Sequence, residues 1–105
     1  KPEESLMQKE LDFDSLMKDI FKINFKELAS KSKEDIIELV KERESKDHAD
    51  YYEMLGNVFM FYYRTEGKLD FADKAKTFYE LYLHSSGIFA LPIINRVNEL
   101  KSELK

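Results

Sequence analysis

Two histidines, His48 and His84, are the first residues to weigh for chemistry, and the chain has no others. His48 stands beside Asp47 and Asp50, and His with carboxylates is a donor set that metal sites use. The same three residues also read as the polar start of a helix, which is the plainer account. His84 precedes Ser85-Ser86-Gly87, a polar run with the character of a helix end. Cysteine is absent, which removes thiolate metal sites, disulfides and a cysteine nucleophile. No nucleophile-elbow serine motif, phosphate-binding glycine loop or paired-histidine zinc motif is present. Carboxylates are plentiful, but none lies within an apolar run that would raise its pKa for acid–base work. The residue types therefore predict no catalytic residue, no metal and no cofactor. Six tyrosines remain. Tyr51, Tyr52, Tyr62, Tyr63, Tyr79 and Tyr82 read either as interface anchors or as core residues with their hydroxyls reaching the rim.

Composition fits this picture. The 105 residues are 43% hydrophobic and 36% charged, enough for one domain with a real core and a well-solvated surface. The net charge of −4 leaves no excess of Lys and Arg to neutralise phosphates, so nucleic acid is not an expected partner. The longest unbroken apolar run, Val58 to Tyr63, falls far short of the roughly 20 residues a membrane span needs. No charged start, apolar middle and small-residue cleavage site marks a leader. The chain begins with Lys1, which fits a processed protein or a piece of a longer one. Absence of cysteine fits a reducing compartment, and the expected location is cytoplasmic.

The elements that must position any site are helices. Three glycines and two prolines argue against a turn-rich β protein. Residues 1–11 read as a helical lead-in or a frayed end. Phe13, Leu16, Met17, Ile20 and Phe21 then repeat at i, i+3, i+4, i+7 and i+8, one helical face, with Asp12 or Asp14 as its cap. Asn24 is expected to end that helix, and Phe25 and Leu28 to tuck a connector against the core. Ser30 or Ser32 opens a second helix running to about Glu44, with Ser32 and Asp35 at capping spacing and Ile36, Ile37, Leu39 and Val40 as its buried face.

Asp47 is the expected cap of a third helix through about Arg64, closed by Gly67. From Tyr51 to Tyr63 it is apolar or aromatic except at Glu53, Gly56 and Asn57, too much apolar surface for one face. It is the expected central helix. Gly56 costs roughly 1 kcal/mol against Ala in a helix, and the expected reason for it is close approach of a neighbour, with Ala72 and Ala75 suited to meet it. Asp70 and Asp73 mark the next start, with Phe71, Ala72, Ala75, Phe78, Tyr79 and Tyr82 as the packed face and Ser85-Ser86-Gly87 as the end. Pro92 fits the first turn of a last helix, followed by Ile93, Val97, Leu100 and Leu104. The expectation is an all-α chain of about five helices in antiparallel hairpins or a bundle.

Tyr52-x-x-Leu55-Gly56-x-x-Phe59, followed by Ala75 and Tyr79, resembles the helical hairpin of a tetratricopeptide repeat. The resemblance covers roughly residues 47–87. Ala75 lies farther from Gly56 than the family pattern has it, by about two helical turns, which one extra turn in each helix would absorb. Tyr82 stands where the family prefers a small residue. The resemblance implies a tetratricopeptide-like scaffold binding a protein or peptide, with Asp50, Glu53, Asn57 and Met60 facing its inner groove. Asn57 matches a position some relatives use to hold a terminal carboxylate, whereas Glu53 stands where those relatives carry Lys. His84-Ser85-Ser86-Gly87 also resembles the phosphorylated segment of phosphotransfer helix bundles, with Ser86 where they carry Lys.

Three expectations of function follow. The first is a non-enzymatic helical interaction module that binds a protein or peptide through the central aromatic-rich hairpin and exposes an apolar or aromatic patch on the central helix; a homodimer is compatible with it. The second is a small cytoplasmic helix bundle with an immunity or regulatory role, similar in size to bacteriocin immunity proteins. The third is histidine phosphotransfer through His84.

Overall fold

A computed structural model describes residues 2–105, and among them the structure is all-α: six α-helices and one 3-10 turn, with no strand. The chain packs as two compact units, Lys1–Leu39 and Val40–Lys105.

In the first unit, α1 spans Pro2–Phe21 in one run, so the lead-in is helical. From residue 5 to residue 12 every side chain is exposed, including Leu6, Met7 and Leu11. Burial begins with the expected face, where Met17 and Phe21 are in the core. Asp12 and Asp14 lie inside α1 and cap nothing at its start, contrary to expectation. Asp14 instead reaches forward along the chain: its carboxylate accepts the backbone N–H of Phe25 at 2.8 Å and pairs with Lys18 at 3.2 Å. That backbone hydrogen bond, with Lys18 assisting, holds the Asp14 carboxyl below the ordinary aspartate value.

Asn24 does not end α1. Lys22, in the left-handed region at φ 66°, turns the chain just after Phe21. Asn24 then caps a short helix, α2 (Phe25–Ala29), its Oδ1 accepting from the Glu27 N–H at 2.8 Å. Phe25 and Leu28 are buried, as the connector reading required. Of the two candidate serines, Ser32 is the cap of α3 (Lys33–Lys41), its Oγ accepting from the Asp35 N–H at 3.1 Å. This helix stops at Lys41, short of Glu44. Ile36 and Val40 are buried, and Ile37 and Leu39 are half-buried.

The second unit centres on α4 (His48–Glu66) and α5 (Leu69–Ser86). The 3-10 turn Ser45–Asp47 precedes α4, and the Asp47 carboxylate makes no capping bond. His48 fastens this corner instead: its Nε2–H donates to the Arg43 carbonyl at 2.8 Å. Gly67 and Gly87 close α4 and α5 with φ of 73° and 66°, a left-handed conformation that costs a residue with a Cβ and costs glycine little. The ring contacts fix the direction of packing. Tyr52 meets Phe78, Phe59 meets Phe78 and Phe71, and Tyr62 meets Phe71, so positions rise along α4 as they fall along α5. The pair is an antiparallel hairpin. Phe59 and Phe78 stack with centroids 5.9 Å apart, and Leu55, Val58, Ala72 and Ala75 fill the seam.

A final helix, α6 (Leu91–Glu103), packs on α5. Pro92 sits in its first turn, where the missing N–H is no loss. Ile93, Val97 and Leu100 are buried, and Leu104 is half-buried just past the helix.

Candidate functional site

Gly56 sits where the second unit is tightest. A Cβ built there would lie 2.5 Å from Cδ1 of Tyr79, 2.7 Å from its Cε1 and 2.9 Å from its Cγ. The close approach expected at Gly56 is therefore real, and the three atoms nearest to it belong to the ring of Tyr79, not to Ala72 or Ala75. Tyr79 is held at both ends. Its ring lies against the α4 backbone, and its hydroxyl donates to Asn57 Oδ1 at 2.7 Å. Arg96 on α6 donates to the same oxygen through Nη1 at 3.2 Å, and its guanidinium carbon lies 5.8 Å from the Tyr79 ring centroid. Burial pushes the Tyr79 hydroxyl pKa up, and the Arg96 charge opposes that shift without cancelling it. Tyr79 is thus a neutral donor at physiological pH. Asn57, Tyr79 and Arg96 together tie α4, α5 and α6 through one amide oxygen.

The four residues expected to face a groove separate here. Asp50 and Asn57 are exposed and Glu53 is half-buried. Met60 is 2% exposed and is part of the core, a correction to its expected place on the surface. The helical period explains it: Met60 follows Gly56 by one turn and shares the packed side of α4. Asn57 is committed to Tyr79 and Arg96 through its carbonyl oxygen.

The aromatic patch expected on the central helix is likewise missing. Tyr52, Tyr62, Tyr79 and Tyr82 are buried, and Tyr51 and Tyr63 are half-buried. The core reading holds for the first four, and Tyr51 and Tyr63 are only partly covered. Lys74 joins them as a buried cation, its Nζ 2.7 Å from Asp70 and 5.8 Å from the Phe59 ring centroid. On the outer surface Arg64 and Glu99 pair loosely at 3.6 Å, a contact of little weight when exposed.

Apart from Leu69 at the start of α5, the large exposed apolar residues of this unit lie at the α5–α6 junction. Ile88 is 57% exposed, Phe89 80% and Leu91 54%. The segment is extended but anchored. Gly87 caps α5 through the Leu83 carbonyl, the Ile88 N–H donates to Ser86 Oγ at 3.2 Å, and Pro92 opens α6 four residues after Ile88. The antiparallel register that sets Gly56 on Tyr79 brings Ser86 back level with the start of α4, so the segment and Asp50 lie at the same end of the hairpin. A sequence signal for it exists: Leu81 to Asn95 is the longest stretch without Asp, Glu, Lys or Arg. Composition alone does not say that its middle is uncovered.

His84 is exposed in the last turn of α5. Among the described residues no group of three His, Cys, Asp or Glu side chains is placed to hold a metal ion, and no helix is long and apolar enough to cross a membrane. No family model, curated protein or solved structure matches the chain.

Proposed function

We propose that this chain is a non-enzymatic helical interaction module that binds a protein or peptide partner in the cytoplasm, with the α5–α6 junction as its contact. The observation that carries the reading is the adjacent exposure of Ile88, Phe89 and Leu91. Single exposed apolar residues are ordinary; three large ones within the four residues 88–91 are what favours an interaction surface here. Anchoring at Gly87, Ser86 and Pro92 favours binding, because a segment already held at both ends loses less freedom on docking. Aromatic side chains dominate the energetics of such contacts, and Phe89 is the natural anchor. Asp50 supplies a polar rim at the same end of the hairpin, with Glu53 one turn along. The tetratricopeptide-like reading of residues 47–87 belongs to the same proposal, supported by the antiparallel pairing of α4 with α5 and by the tight fit at Gly56.

The test compares tagged wild-type chain with Phe89→Ser in co-purification from the source cells, read by quantitative mass spectrometry. The expected result is a defined protein recovered with the wild type and depleted at least tenfold with the variant. Equal recovery with both overturns the assignment of the contact. Size-exclusion chromatography with light scattering on the purified chain separates the remaining case. A dimer that Phe89→Ser dissolves would make the partner a second copy.

A further inference from the structure

We draw no further inference here: the strongest candidate, the exposed apolar face of the first turns of α1 formed by Leu6, Met7 and Leu11, is an unpartnered surface, and nothing in the structure shows what covers it.

Discussion

Adding one methyl group at Gly56 tests the packing of the α4–α5 hairpin. Two effects oppose each other in Gly56→Ala. Replacing glycine by alanine inside a helix favours folding by about 1 kcal/mol. Against that, the new Cβ would sit 2.5–2.9 Å from three ring atoms of Tyr79. These are atoms at the root and side of a rigid ring, so relief requires moving the whole side chain. Overpacking of this kind costs about 1–3 kcal/mol. A ring that shifts also stretches the Tyr79–Asn57 hydrogen bond, worth a further 0.5–1.5 kcal/mol or so. The clash wins, and the expected net loss is about 1–3 kcal/mol. In thermal unfolding that is a fall in Tm of roughly 5–15 °C. Urea unfolding followed by far-UV circular dichroism measures it directly. The cause is isolated by repeating the substitution in a Tyr79→Leu background, where the ring is gone: the penalty should shrink to less than half or change sign. Gly56→Leu should cost several kcal/mol, because it adds more atoms to the same space. A neutral or stabilising Gly56→Ala in the native background would refute the account of this contact.

Phe59→Ala should cost about 3–5 kcal/mol in the same urea experiment, since Phe59 is fully buried between Phe71 and Phe78; a loss below about 1 kcal/mol would put it outside the core. Ser32→Ala should cost about 0.5–2 kcal/mol by removing the α3 cap, and Ser30→Ala should cost clearly less. Asp14 has a folded-state pKa below its unfolded value, so its contribution is complete above the ordinary aspartate pKa of about 3.9 and is lost as pH falls through the lower folded value. Asp14→Asn should therefore flatten the acid limb of a stability–pH profile, with the two proteins converging at the acid end; an unchanged limb would contradict the assigned hydrogen bond. Tyr79 shifts the other way. Its folded pKa is raised, so its contribution is complete below the ordinary tyrosine value of about 10 and is lost as pH rises through the folded value. Tyr79→Phe should remove that alkaline loss.

Much of the helical architecture was legible because local chemistry and packing agree. The 3.6-residue spacing of Phe13, Met17 and Phe21 predicts the buried face of α1, and Gly67 and Gly87 stand where left-handed caps are needed. Some of the differences fall where a polar side chain has several partners within reach. Asp14 reads as a cap, yet its oxygen accepts a backbone N–H eleven residues on. Asn24 reads as a stop, and it is the start of the short helix α2. Sequence spacing describes one element at a time and does not say which neighbour a side chain meets. That is why spacing pairs Gly56 with Ala72 and Ala75 while its nearest neighbour is the ring of Tyr79, and why it sets Met60 on a surface that Met60 does not reach. The tyrosines show the same limit on a larger scale. An aromatic-rich helix signals an interface only if its neighbours leave it bare, and α5 supplies the rings that cover α4.

The most direct test of the central claim is photo-crosslinking in the source cells from a benzophenone amino acid placed at position 89, with the same probe at the exposed position 98 on α6 as control. The account predicts one discrete adduct from position 89, heavier than a dimer of the chain or clearly distinct from it, and none from position 98. An equal ladder from both positions, or no adduct from position 89, would contradict the claim that the Ile88–Leu91 segment is where this protein meets its partner.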